Sequence, residues 1–523
     1  VRQGLSRRPQ AHGPAALLLA ALCGCGGDEA PGAPAGPARP PSLLLVSFDT
    51  LRADRLGCYG GDSWGRSISP AIDGLAAQGV LFESCWAPRG QTRPSLASML
   101  SGKYPITTGL RENRLFLLEE HSTFLQLLAD AGWQVAIVLS NFDTGRMGGS
   151  WAFRGAELAV AGKLHDEQGP ASRLEKLWDD RTEEAALGFL GALDPARPFA
   201  AWVHFFDIHD PYNPPEGFDL YGHAPGLPEE LRAPGPEDGE RLNGWLASVT
   251  LGQHALTAEE RTRVLGLYDG AVTATDARLS RLLAALGRSG RRDDTYVVFV
   301  SDHGEELADH SGYFFHDSSV YPGTLRIPLI VAGPGLPAGA RVDAQVQNLD
   351  LAATVLELCG QPVPPDMESR SLVGLLRGTS REPTRPYAFL EFQDILYAVV
   401  GDGREYVHNP RHAQLRKTPY FRTGRSFPIG CFEGYELGKD PLAQHDLLAA
   451  LDPATLGDDA ALPAGLRPLR TALLRWLADP AHEREMSWPG LGPEALPELM
   501  ALGYVGGGAD REDVLFLEDC GGR

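Results

Sequence analysis

Basic charge is what this chain of 523 residues most lacks: 47 lysines and arginines stand against 68 aspartates and glutamates, a formal net charge of −21. A nucleic-acid partner wants a basic face, so the balance argues against one and reads as solubility. Cysteine is also scarce, with seven in all. Cys58, Cys85, Cys359, Cys431 and Cys520 are widely spaced, form no CxxC cluster of the zinc-binding kind, and leave their pairing open. Beyond the first 25 residues no apolar run is long enough for a membrane helix, and there is no internal repeat. What remains is ordinary for a globular chain, 43% hydrophobic and 22% charged, long enough for one large domain and a smaller one.

The N-terminus reads as a leader. A basic start, "VRQGLSRRPQAHG", precedes the short apolar run "PAALLLAAL" and the small-residue site "LCGC", the order of an export signal over residues 1–25. The site resembles a bacterial lipobox, which makes Cys25 the expected lipidated residue. Cys23 fits less well, because Leu22 before it is not small, and a plain secretory signal is the alternative. Residues 26–41 then form a Pro/Gly/Ala tether. The expectation is an exported protein, lipid-anchored to the membrane on the periplasmic or outer-membrane face of a bacterial envelope.

Past the tether, "LLLVSF" (43–48), "WQVAIVLS" (133–140), "FAAWVHFF" (199–206), "TYVVFVS" (295–301) and "IPLIVAG" (327–333) are continuous apolar runs of the kind buried in a parallel sheet. Helical stretches such as "RTRVLGLYDGAVTATDARLSRLLAALG" separate them. The alternation predicts an α/β fold over 42–385, a large mostly parallel sheet sandwiched by helices. Short strands at "AVVGDGREYVHN" and "CFEGYEL", then a helix at "LRPLRTALLRWLAD", predict a smaller α+β C-terminal region over 386–507, with a tail at 508–523.

Ligands of open parallel sheets bind beyond the strands' carboxyl ends. Asp49 follows the first run, Asp302-His303 the fourth, and His209 lies in "DIHDPY" after the third. Each alone is an ordinary turn residue; converging at one sheet edge, they are a metal-binding set. Two nucleophiles compete in "SCWAPRGQTRPSLASMLSGKYP": Cys85, opening Cys-x-Ala-x-Arg, and Thr92, opening Thr-x-Pro-Ser.

The strings "VSFDTLRADRLGCYG", "TRPSLASMLSGKYP", "HFFDIHDPY", "LYDGAVTATDARLSRLL", "VSDHGEEL", "YPGTLRIPLIVAGPG", "NLDLAATVLELCGQPVP", "YELGKDPLAQHDL" and "MALGYVGG" occur in that order. Together they resemble the sulfatase family of the alkaline phosphatase superfamily, over about residues 42 to 507. The resemblance implies a nucleophile at the start of a helix, in a Cys/Ser-x-Pro-Ser-Arg string. Thr92 holds that position, with Leu96 where the arginine belongs, while Cys85 lies before it and reads as a buried apolar residue. Threonine cannot become the formylglycine of typical sulfatases.

By the same resemblance Asp49, Thr92, Asp302 and His303 hold one divalent metal. Calcium-dependent relatives have a second aspartate where Thr50 stands and asparagine where His303 stands. The imidazole therefore favours manganese or zinc, with calcium or magnesium as alternatives. Pro211 stands four residues beyond Asp207, so the Asp-x-x-x-His string of a two-metal site is missing. His209 matches the histidine that contacts the transferred group or protonates the leaving oxygen. His316, followed by Asp317 where relatives have glycine, and Asn113 match substrate-binding positions. The "GKWH" string of many arylsulfatases is absent, with "FDTGRMGG" in its place. The expected function is a hydrolase of sulfate or phosphate esters of a small molecule, glycan or lipid, with phosphoester or phosphonate chemistry favoured. The alternative is a catalytically inactive lipoprotein that keeps the fold to bind an anionic glycan or partner.

Overall fold

Runs of Val, Leu, Ile and Phe without polar alternation bury both faces of a strand, and they do so here. The computed structural model describes residues 39–113, 115, 117–140, 154–161, 178–232, 239–316, 319–392, 396–409, 431–452, 455–456 and 458–482. Its main sheet contains β1 (Ser42–Phe48), β2 (Val80–Trp86), β3 (Gln134–Leu139), β4 (Leu158–Ala161), β5 (Phe199–Phe205) and β6 (Thr295–Ser301). A small pair, β7 (Glu306–Leu307) and β8 (Phe314–Phe315), stands apart, and β9 (Arg326–Ala332), β10 (Ala340–Val342) and β11 (Val346–Gln347) complete the main sheet. The order is β10-β2-β9-β6-β1-β5-β3-β4, with β11 also on β2.

The sheet is mostly parallel. The run at 327–333, expected as a parallel strand, is the exception: β9 runs antiparallel to both β2 and β6. Burial on both faces makes a strand apolar whichever way it runs, so its direction left no trace in composition. Strand β2 does not read as a continuous apolar run, because Glu83 and Ser84 interrupt it.

Side chains alternate across the sheet. Leu43 and Leu45 join a core formed with helices 92–101, 124–130 and 351–358. Leu44, Val46 and Phe48 face the opposite core, with helices 70–78, 178–191 and 258–288. The last of these helices starts at a capping box, in which Thr257 and Glu260 side chains each accept the other's backbone N–H.

The C-terminal region forms a four-stranded antiparallel sheet, β12 (Ala388–Phe392), β13 (Leu396–Gly401), β14 (Arg404–His408) and β15 (Phe432–Glu436). Asp402-Gly403 makes the two-residue turn between β13 and β14, with positive φ at both residues (51° and 66°), as such hairpins require. Leu469, Leu473 and Trp476 of helix 467–477 cover Tyr397, Val399 and Tyr406 of this sheet. No helix among the described residues is long and apolar enough to cross a membrane. Cys25, Asp317, the segment 142–149 and "MALGYVGG" (500–507) lie outside the described residues, as do the leader, most of the tether and the tail.

Candidate active site

Strand β1 lies between β5 and β6, with Phe48 in register with both Phe205 and Ser301. That register sets Asp49 beside Asp302 at the carboxyl edge. The chain leaves β1 through Thr50, whose φ of 56° is uncommon for a β-branched residue. Three bonds hold the turn: Thr50 N–H donates to Asp302 Oδ1 (3.2 Å), Leu51 N–H to Ser301 Oγ (3.0 Å), and Tyr268 O–H to Thr50 O (2.7 Å).

Helix 92–101 points its N-terminus at this edge. Thr92 is its first residue, Pro94 lies in its first turn, and Gly102 ends it with φ 69°. The Thr92 hydroxyl donates to Asp49 Oδ2 (3.5 Å) and lies 3.4 Å from His303 Nε2. Ser95 fastens the first turn down, donating to Asp302 O (2.6 Å) and accepting from Asn348 Nδ2 (2.8 Å). Asn113 Oδ1 accepts the Arg93 N–H (2.9 Å), so this predicted substrate amide caps the helix that carries Thr92.

His303 Nδ1 bonds the Gly304 carbonyl at 2.9 Å. A carbonyl only accepts, so Nδ1 carries a hydrogen and Nε2 is the atom that faces the carboxylates, 3.4 Å from Asp302 Oδ2 and 3.9 Å from Asp49 Oδ1. Gly304 is required here, since a Cβ would sit 2.2 Å from Gly323 O.

Asp49 Oδ1, Asp302 Oδ2 and Thr50 Oγ1 are buried without a hydrogen-bond partner. Unpaired carboxylate oxygens in a buried site are costly unless a cation meets them. The donors fit a cation: Asp49, His204 and Asp302 lie close enough to share one ion, and His303 Nε2 faces both carboxylates. Burial alone would raise the Asp49 pKa, yet the His204 hydrogen bond and the fields of His209, His303 and His204 bring it down to about 2. Burial and the Asp49 charge push Asp302 the other way, above its ordinary value.

Beyond these lie His209 and His316, their ring centroids 4.8 Å apart, with His316 4.6 Å from His303. His209, Asp210 and His316 form a second group close enough to share an ion. His209 Nδ1 donates to Asp210 O (2.8 Å), which leaves its Nε2 as the atom open to a substrate, and burial lowers its pKa. His316 Nδ1 lies 3.3 Å from Glu305 Oε2.

Cys85 is a fully buried residue of β2, opposite Ile327 of β9 and Val346 of β11. Burial, reinforced by the Asp350 charge, holds its thiol well above the usual range, which makes it a poor nucleophile. Leu96 packs fully buried in the core of its sheet face. Sequence reasoning missed His204, fully buried on β5 and bonded to Asp49. Its signal was a lone imidazole inside an otherwise apolar strand.

The family model "Sulfatase" matches residues 41–361, and "N-sulphoglucosamine sulphohydrolase, C-terminal" matches 310–452. The chain is similar to a Δ4,5-hexuronate-2-O-sulfatase of Bacteroides thetaiotaomicron, with 26% identity over 81% of this chain and 87% of that one. Among solved structures it resembles a protein in complex with its substrate D-glucosamine-2-N,6-O-disulfate (TM-score 0.62, 19% identity, 85% of this chain and 100% of that one). It also resembles the phosphonate monoester hydrolase of Agrobacterium radiobacter (TM-score 0.61, 20% identity, 83% of this chain and 96% of that one).

Proposed function

Because the chain belongs to the sulfatase family of hydrolases, in the alkaline phosphatase superfamily, we propose that it cleaves phosphate or phosphonate esters in preference to sulfate esters, with Thr92 as nucleophile. The observation that carries this reading is the Thr92 hydroxyl at a helix N-terminus, 3.5 Å from Asp49 and 3.4 Å from His303. Formylglycine expels sulfate by collapse of a hemiacetal, and threonine has no such exit. A threonine sulfate ester must be attacked at sulfur, whereas a phosphothreonine can be displaced at phosphorus by water or an acceptor alcohol.

Thr92 Oγ1 bonds to phosphorus as the bond to the leaving oxygen breaks, and its hydrogen, directed at Asp49 Oδ2, passes to that carboxylate. The free N–H groups of the helix N-terminus stabilise the negative charge that develops beside it. His209, once an anionic ester raises its proton affinity, donates from Nε2 to the leaving oxygen. Asp49, Asp302 and His303 would hold a divalent ion, manganese or zinc by their mixed donors, which would supply Lewis-acid charge neutralisation and a lower pKa for the threonine hydroxyl. The relatives' names, a hexuronate sulfatase and a disulfated-glucosamine complex, favour a sugar as the organic half of the ester. A lipid or small-molecule ester fits the same chemistry.

Leu96 in the family's arginine position favours a second reading, a non-catalytic protein that binds an anionic glycan. A panel of sulfate, phosphate mono- and diester and phosphonate substrates with added metals separates the two. Turnover of phosphodiester or phosphonate faster than sulfate, abolished by Thr92→Ala and largely kept by Cys85→Ala, supports the enzyme; sulfate cleavage as the fastest reaction, or none, overturns it. The export signal and lipobox-like site support a membrane-tethered location through Cys25. Cys25→Ser should then release the protein from the membrane fraction.

A further inference from the structure

Strand alternation puts Trp202 and His204 of β5 on one face of the sheet, and register sets Ser47 of β1 directly opposite His204. All three are buried. Trp202 Nε1 donates to Ser47 Oγ at 2.9 Å, Ser47 Oγ lies 2.9 Å from His204 Nδ1, and His204 Nε2 lies 3.3 Å from Asp49 Oδ2. An indole nitrogen can only donate, so the Ser47 oxygen accepts from Trp202 and its single hydrogen is left for His204 Nδ1. Nδ1 accepting that hydrogen satisfies both groups and puts the imidazole hydrogen on Nε2, aimed at Asp49.

We propose that His204 is a positioning residue and not a metal ligand. The Trp202–Ser47–His204 relay clamps Asp49 Oδ2 and turns Oδ1 alone toward the ion. This rests on the metal-dependent reading above. Proximity alone would group His204 with Asp49 and Asp302 as a ligand. For Nε2 to bind a cation, the hydrogen would have to move to Nδ1. Ser47 Oγ would then face two N–H donors, with its own hydrogen unaccepted at a fully buried position. The unpartnered state of Asp49 Oδ1 is what a clamped Oδ2 leaves behind. The ion would accordingly see one imidazole, that of His303, and one oxygen from Asp49.

The test is pulsed EPR on the protein loaded with Mn²⁺ and labelled with ¹⁵N-histidine. One directly coupled imidazole nitrogen is expected, unchanged in His204→Gln, whose amide N–H stands in for Nε2–H. Loss of a coupled nitrogen in His204→Gln would overturn the proposal. Chelator competition gives a second readout. His204→Ala and Ser47→Ala should weaken Mn²⁺ binding roughly 10–100-fold, whereas His204→Gln stays close to wild type; equal losses in Gln and Ala refute the clamp. Circular dichroism checks that each variant is folded. A wild type that takes up no Mn²⁺ fails the metal-dependent reading instead. Long-range ¹H–¹⁵N NMR of the metal-free protein then decides the clamp by itself: a hydrogen on Nε2 of His204 upholds it and a bare Nε2 ends it.

Discussion

Removing one carboxylate charge from the candidate metal site should make the metal-free protein more stable and abolish its response to metal. Asp302 is fully buried, and burial together with the Asp49 charge raises its pKa, so its negative charge opposes folding when no cation is present. Asp302→Asn keeps an oxygen to accept the Thr50 and His303 N–H groups now bonded to Oδ1. In the wild type, Mn²⁺ at about 100 times its dissociation constant adds about 2.7 kcal/mol of stability. At about 2.1 cal/mol/K per residue, 523 residues give an unfolding entropy of about 1.1 kcal/mol/K, so the midpoint should rise by about 2.5 °C. Scanning calorimetry with and without Mn²⁺ measures it. Asp302→Asn should start from a higher metal-free midpoint and show no shift. A wild-type midpoint indifferent to manganese, zinc, calcium and magnesium, or a variant that shifts as far as the wild type, would refute the reasoning.

His209→Gln should slow phosphoesters of poor alkyl leaving groups by roughly 10²–10⁴-fold and aryl esters far less, because only the former need a proton; equal losses would remove it as general acid. Since burial lowers its pKa, the alkyl-ester kcat/KM should fall with rising pH from a point below about 6.5, and a decline only in the alkaline range would contradict that. Asp276 caps helix 70–78, accepting from Ala71 and Ile72 N–H at 2.9 Å each, and burial pushes its pKa up to about 7 despite those bonds. The folded pKa lies above the unfolded one, so the folded state holds the extra proton between about pH 4 and 7, and this contribution to stability is lost as pH rises through that window. Denaturant titrations should show the wild type losing up to about 1.4 kcal/mol per pH unit there relative to Asp276→Asn; parallel curves would show that the carboxyl titrates normally.

The parts of the fold legible in sequence were those written in apolar runs. Strands β1, β3, β5 and β6 lie within a residue of the runs at 43–48, 133–140, 199–206 and 295–301. The direction of β9 was not legible, because a strand covered on both faces is apolar in either orientation. Asp49, Asp302 and His303 stood out because they break apolar runs at strand ends, where ligands bind. His204 did not, because its meaning depends on register. Only the pairing of β1 with β5 sets Ser47 opposite it and carries the hydrogen bond on to Asp49. Asn113 was legible as an amide near the site but not as a helix cap, since its partner, the Arg93 N–H, belongs to the backbone.

Which atom is esterified during turnover separates Thr92 from Cys85 most directly. Acid quenching of the metal-loaded protein during cleavage of a slow phosphonate or phosphate monoester, followed by peptide mass spectrometry, reads it. The expected result is an adduct on the peptide containing Thr92, absent in Thr92→Ala, with Cys85 an unmodified thiol. Formylglycine at position 85, or an adduct that persists in Thr92→Ala, would contradict it.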